Sequence, residues 1–472
     1  MSILIKRIRP VLSLLTLGLL LQQSAHALDL EQAYEKALSN DPNWAGDQHN
    51  LAASEENIAL SRAYLLPSID VSGSLTQDDR TLSGTGSVLS YHQNQLGVKA
   101  TQPLFRADAW YGYKQARANT SAAEANLTYQ KQQEILRVAN AYFNVLSAQE
   151  NLEYSKAEEG ALGRQMDQSQ QRFDVGLIAI TDVLEAKAQF DAARASRISA
   201  EASLNTAREN LIAIIGDDPG KLAPLKTDVP MNQPVPDNAD EWTKLARDQN
   251  PQLLMAHYNY QGAKAATNVQ RAAYVPNVDL FGQYNDTDIP NSGGNQLLQF
   301  TSGRTTTVGI QATWNLFGGG RTVASVRQAS YQEAAAEDNV ESVERNVVST
   351  TRSAYLNVAA NSFQVDATRQ AVKSNESALA ADQAGYEVGT RNIVDVLLTQ
   401  SNLYAAKRDY ANARYNYVIN TLQLKAASGQ LNDVDIRDLN NWLDPNGSIT
   451  AAPEEPAPEP VTPAMAKPAK KH

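Results

Sequence analysis

"YEVGTRNIVDVL", residues 386–397, is written twice in this chain: "FDVGLIAITDVL", residues 173–184, matches it in six of twelve letters at an offset of 213. The shared letters include a glycine between two helix-forming stretches and an aspartate six residues further on. Glycine reaches positive φ at no steric cost, and a carboxylate at a helix start accepts hydrogen bonds from unpaired backbone N–H groups. Each copy therefore reads as a reversal between two helices. Gly176 and Gly389 form the turns, and Thr181-Asp182 or Val394-Asp395 opens the returning helix. Simple capping accounts for the two aspartates. It does not account for Arg391 in one copy where the other has Ile178.

Working outward, "LGVKATQPLF" (96–105) recurs as "VGIQATWNLF" (308–317), and "AYFNV" (141–145) as "AYLNV" (354–358). The chain is thus internally duplicated, with one repeat over 28–218 and another over 240–430. No proline falls between Pro103 and Pro219 or between Pro290 and Pro445, while six crowd into 219–251. Proline breaks helices, so the crowded stretch marks a linker, 219–239, and the free stretches hold long helices over 107–172 and 321–385. At 1.5 Å per residue each would be about 100 Å long, whether continuous or in two bent pieces, a length that implies coiled-coil-like packing. Returning helices are expected over 181–215 and 394–428.

Ahead of each long helix lie two runs of period-two alternation, 68–79 and 93–103, then 277–287 and 305–316, with loops near 80–93 and 289–304. Ile69, Val71, Leu75, Val98, Leu280, Tyr284, Val308 and Ile310 stand on apolar faces. A four-stranded water-soluble sheet and a membrane barrel both satisfy that pattern. Four strands cannot close a barrel alone, since barrels need about eight or more, but three copies supply twelve.

Residues 1–27 have the layout of a signal peptide: Lys6, Arg7 and Arg9, an apolar run, then Ala25-His26-Ala27. Its removal takes three positive charges from a net −11 and leaves −14, which argues against a nucleic-acid surface. The chain has no cysteine, hence neither disulfides nor a lipid anchor on an N-terminal cysteine. No later apolar run approaches the roughly 20 residues of a membrane helix, so any crossing must use strands. Residues 431–450 close the ordered part, and 451–472, with six prolines, read as a disordered tail. The histidines lie in unrelated segments, and no metal-ligand spacing, nucleophile triad or phosphate loop appears. An enzyme is not expected, nor a cofactor.

The leader, the duplicated strand-strand-long-helix plan and, above all, "YEVGTRNIVDVL" followed by "LYAAKRDYANARYNYVINTLQLKAASG" (403–429) resemble the TolC family of outer-membrane channel proteins over roughly residues 29–430. That resemblance implies an α+β membrane protein, a homotrimer with four strands per protomer in one 12-stranded β-barrel, continuous with a long α-helical barrel in the periplasm. It implies an exit duct for tripartite efflux pumps or type I protein secretion. Its partners would be a periplasmic adaptor protein, an inner-membrane efflux pump or ABC transporter, and outer-membrane lipid. The rival expectation is a periplasmic coiled-coil scaffold or pump adaptor without a pore.

The resemblance also assigns the differences between the two copies. Asp395 would face the pore as an acidic ring at the entrance. Three such carboxylates about 6 Å apart repel by roughly 0.7 kcal/mol per pair in water, or about 3 at an effective dielectric of 20, so closure needs a latch. That latch maps onto Arg391, reaching Thr181 and Asp182 of a neighbouring hairpin, and Tyr386, whose hydroxyl meets Asp182 within the protomer. A secondary contact maps onto Gln165 and Gln383. Where the family pattern has a second aspartate three residues after the first, this chain has Leu398, leaving one acidic ring.

Overall fold

The computed structural model describes residues 27–81, 88–289 and 302–447; the signal peptide, most of both strand loops and the proline-rich tail lie outside the described residues. Four antiparallel strands, β1 (Ser68–Thr81), β2 (Val88–Phe105), β3 (Asn277–Asp288) and β4 (Gly303–Thr313), lie in the order β1-β2-β3-β4. The first hairpin is longer than expected: Thr81 pairs with Val88, so most of the stretch near 80–93 belongs to the strands. In register, Val71, Val98 and Tyr284 share one face, as do Ile69, Ala100, Gly282 and Val308. That apolar face has no cover within the chain, with Ile69 73% exposed and Leu75 84% exposed. β1 and β4 end the sheet, so their outer edges need partners from other chains.

Two long helices follow the strand pairs, α3 (Ala107–Asp174, 68 residues) and α7 (Arg321–Glu387, 67 residues), both unbroken. Their returning helices are α4 (Ile180–Ile215) and α8 (Ile393–Ala427). Sequence reading missed five further helices: α1 (Leu30–Asn40), α2 (Pro42–Ala63), α5 (Ala239–Gln249), α6 (Pro251–Arg271) and α9 (Asp433–Asn440). The reason is physical. Pro42 and Pro251 occupy first helical positions, where the missing N–H is no loss, behind the capping side chains of Asp41 and Asn250. Proline there starts a helix rather than ending one.

Each long helix passes two shorter ones: α3 packs on α2 and then α4, and α7 on α6 and then α8, while α3 also meets α6 and α8. A helical wall results, joined to the sheet at one end and to the two reversals at the other. The main core lies midway, where the short helices end. Tyr142 of α3 is fully buried and donates to the carbonyls of Leu28 (3.0 Å) and Ala223 (2.9 Å), tying the linker to the wall. Beside it the Tyr415 hydroxyl donates to Glu150 at 2.6 Å. Burial pushes the Glu150 carboxyl above the usual range, opposed by that hydrogen bond and by Arg414.

Candidate functional site

Both reversals are built alike. Gly176 (φ 77°) and Gly389 (φ 78°) sit just past the ends of α3 and α7. Their N–H groups bond to the carbonyls of Phe173 and Tyr386, and the next N–H reaches back to Arg172 or Gly385 at 2.8 Å. This is the Schellman closure, which satisfies carbonyls that a helix end leaves unpaired.

The copies diverge on the returning side. In the second, Asn392 caps α8, accepting from the Asp395 N–H at 2.8 Å, and the Asp395 carboxylate accepts from the Asn392 N–H. In the first, the matching residue is Ala179 and α4 has no side-chain cap. Asp182, at the same helical position as Asp395, has the Thr181 hydroxyl 3.4 Å away.

Arg391 lies between two carboxylates of its own protomer. Its Nε is 3.4 Å from Asp382 and its Nη1 3.7 Å from Asp395, while the side chain remains 56% exposed. Thr399 fixes the frame, donating to Asp382 at 2.6 Å or to the Asp395 carbonyl at 2.9 Å. Gly385 gives the room: a Cβ there would stand 2.7 Å from Arg391 Cγ. Leu398 is exposed on α8, one turn beyond Asp395.

Tyr386 corrects one expectation. Its hydroxyl does not meet Asp182 but is buried without a hydrogen-bond partner. The ring packs on a small core of Leu162, Ala186, Ala193, Ile393 and Leu397, and the Arg172 guanidinium lies 4.9 Å from its centroid. Packing and the cation hold the ring against α3, and the hydroxyl follows. The Gln165–Gln383 contact is not formed within the chain either: Gln165 Nε2 is buried and unpartnered, and Gln383 is exposed. Ser169, one turn from Gln165, also has a buried, unpartnered hydroxyl.

Asp382, Thr399, Gly385 and Arg172 were missed. Subtracting one copy from the other finds them: at the same offset, Asp382 stands against Ser169, Gly385 against Arg172, Arg391 against Ile178, Asn392 against Ala179 and Thr399 against Ala186. The duplicated letters build the turn and supply Asp395, and the unequal letters complete the charged network around it.

An unclosed strand edge, a lipid-ready sheet face and a helical wall ending in charged reversals define a protomer of an outer-membrane channel. No helix among the described residues is long and apolar enough to cross a membrane, which leaves the crossing to the strands. The model of the family "Outer membrane efflux protein" matches residues 33–217 and 242–430, and the chain belongs to that family. It is 34% identical over 445 residues to outer membrane protein TolC of Vibrio cholerae serotype O1, covering 93% of this chain and 99% of that protein. It is 28% identical over 435 residues to alkaline protease secretion protein AprF of Pseudomonas aeruginosa, covering 89% and 88%. Among solved structures, outer membrane protein VceC of Vibrio cholerae superposes with a TM-score of 0.73 at 18% identity, covering 85% of this chain and 96% of that one. The four-stranded sheet is therefore this protomer's portion of an outer-membrane β-barrel, and the helices are its share of a periplasmic α-barrel. The protein is an outer-membrane efflux channel, and its family and relatives are channel proteins rather than enzymes.

Proposed function

We propose that the reversals form the periplasmic entrance of the duct and that the Arg391 network gates it. The observation that carries this reading is the half-exposed Arg391, held only at 3.4 and 3.7 Å by Asp382 and Asp395. Such loose, solvated pairs are each worth at most about 1 kcal/mol, so the guanidinium is free to exchange partners. In the trimer it exchanges them for Asp182 and Thr181 of a neighbouring hairpin, locking adjacent protomers. The unpartnered Tyr386 hydroxyl joins the same lock: a buried hydroxyl left unsatisfied costs roughly 1–3 kcal/mol, which a partner in the locked state recovers. Gln165 Nε2, also unpartnered, takes part as a secondary contact with Gln383.

A periplasmic adaptor opens the lock and connects the duct to an inner-membrane efflux pump or ABC transporter. Small amphipathic compounds and secreted proteins are the cargo, the second in keeping with the secretion-protein relative.

The entrance ring is tested by cation block. With the purified trimer in a planar bilayer, a trivalent cation added to the periplasmic side should block the wild type and lose roughly tenfold or more in affinity in Asp395→Ala, because one ring of three carboxylates supplies the site. Block undiminished in that variant would place the cation elsewhere and remove Asp395 from the entrance.

A further inference from the structure

The helices of the wall keep one order along its length. In the sheet half α2 packs on α3, α3 on α6 and α6 on α7; in the gate half α4 packs on α3, α3 on α8 and α8 on α7. One flank of the wall is therefore α2 and α4, and the other is α7. The sheet has the same flanks, since α2 runs into β1, β4 runs into α7, and β1 and β4 are its outer strands. A barrel closed from copies of this chain joins β4 of one copy to β1 of the next, which sets α7 of the first beside α4 of the second.

Both flanks carry a face with no cover among the described residues. On α7, Leu356, Ala360, Phe363 and Ala367 are all exposed, at the alternating four-and-three spacing of a coiled-coil seam. They lie across the helix from Val358 and Val365, which are fully buried. Leu356 is 58% exposed and Phe363 63%, two large apolar side chains two turns apart on one stripe. On α4, Ala188, Ala192, Ala195, Ser199, Ala202 and Thr206 repeat that spacing with small side chains, all exposed, across the helix from the buried Ala186 and Ala193. Beside Ser199, Ala202 and Thr206 the crevice between α3 and α4 opens into a hollow of about 470 Å3, reaching Ala141 and Asn144.

The heights match. The two long helices run from the sheet to their reversals over 68 and 67 residues, so both reversals lie at one level. Phe363 stands 26 residues before Gly389, and Ala202 stands 26 residues after Gly176. Leu356 stands 33 residues before Gly389, and Asn210, at the far end of the hollow, 34 after Gly176. The knobs of one flank are thus level with the hollow of the other. Toward the gate the outward positions of α7 shrink to Ala371, Ser374, Ala378 and Ala381, all exposed, and there they run level with Ala188 and Ala192.

We propose that Leu356 and Phe363 seat in the α3–α4 hollow of the next copy and clamp neighbouring protomers at mid-wall, while the small-on-small seam below the clamp lets the gate half of α7 shift past α4. Interdigitated knobs must leave their holes before two helices can slide, whereas alanine and serine faces offer little to climb over. The clamp rests on the sheet edges and the exposed knobs alone; the shift below it rests on the proposed gate.

The chain has no cysteine, so introduced pairs report alone. Ala360→Cys with Thr206→Cys probes the clamp and leaves both knobs in place; Ala378→Cys with Ala188→Cys probes the seam below. In the purified full-length trimer a short bis-maleimide should convert each pair, but no single-cysteine variant, to covalently linked trimer. No linking at Ala360, with that cysteine open to a polyethylene-glycol maleimide, would leave the face to another protein and overturn the clamp. Phe363→Ala should lower the heat resistance of the trimer and Phe363→Leu should keep most of it; Phe363→Ala trimers as resistant as wild type would overturn the clamp as well. The links are then combined with Arg391→Ser, Tyr386→Phe. The conductance rise expected of that variant should survive the link at Ala360 and be lost with the link at Ala378, and loss with both would overturn the shift below the clamp. If Arg391→Ser, Tyr386→Phe opens nothing even without a link, the gate reading fails with the shift that rests on it, while linking and heat resistance still decide the clamp.

Discussion

Replacing Arg391 by serine together with Tyr386 by phenylalanine is expected to raise the single-channel conductance of the trimer several-fold. In the proposed entrance three Asp395 carboxylates about 6 Å apart would repel by roughly 0.7 to about 3 kcal/mol per pair, depending on how far water screens them. Arg391 is the cation within 3.7 Å of that charge. On the proposed gate, its loss would leave the ring uncompensated and remove the lock to the neighbour. Phenylalanine keeps the ring packing on Leu162 and Leu397 and removes only a hydroxyl that has no partner within the protomer. Tyr386→Phe alone should therefore move conductance less than Arg391→Ser alone, and the pair should exceed either.

Asp382→Asn separates a lock between protomers from a clasp within one. If the 3.4 Å contact to Asp382 held the entrance shut, this variant would open it as far as Arg391→Ser does. If Arg391 locks a neighbouring hairpin, losing Asp382 frees the guanidinium for that role, and conductance stays low or falls. A double variant with wild-type conductance would remove the latch while leaving the channel.

What could be read from the letters, and what could not, divides by range. The reversals, the long helices and the alternating strands depend on neighbours in sequence, so glycine placement, proline-free stretches and period-two alternation expose them. The small helices around Pro42 and Pro251 were missed because the same residue type starts one helix and stops another, and capping decides which. At the reversals, Arg391 stood out because the repeat carries an internal reference, whereas the role given to Asp395 came from the family resemblance. Asp382 and Gly385 lie just outside the twelve repeated letters and emerge only when the comparison is carried back along the helix, while their contacts exist only once α7 and α8 lie side by side. The packing of Tyr386 was hidden for the same reason: a ring between Arg172 and a core of three helices is a long-range fact.

Gly429→Ala should destabilise the trimer far more than the same change at either reversal, and the comparison isolates packing from backbone strain. Gly429 closes α8 with φ 79°, much as Gly389 closes α7 with φ 78°. The left-handed conformation alone costs an alanine roughly 1–2 kcal/mol, and at Gly176 and Gly389 nothing else lies within 4 Å. At Gly429 an added Cβ would stand 2.5 Å from the Gln249 carbonyl oxygen and 2.8 Å from Asn250 Cα, which are backbone atoms with nowhere to go. Asn250 is the cap of α6, and its side chain also donates to the Ala427 carbonyl at 2.9 Å, so pushing it away uncaps α6 and unties the end of α8 together. Gln132 of α3 loses its contact to the Gly429 carbonyl, 3.0 Å, in the same movement. The combined cost is expected at about 3–5 kcal/mol per protomer, against about 1–2 for Gly389→Ala. The equivalent glycine of the first repeat, Gly216, should fall between, since its nearest neighbour is the Asn40 side chain at 3.1 Å rather than backbone. Heat resistance of the detergent-solubilised trimer on electrophoresis gives the order directly. Gly429→Ala trimers no less heat-resistant than Gly389→Ala trimers would show that the α8 end yields freely and is not the tie between the two repeats.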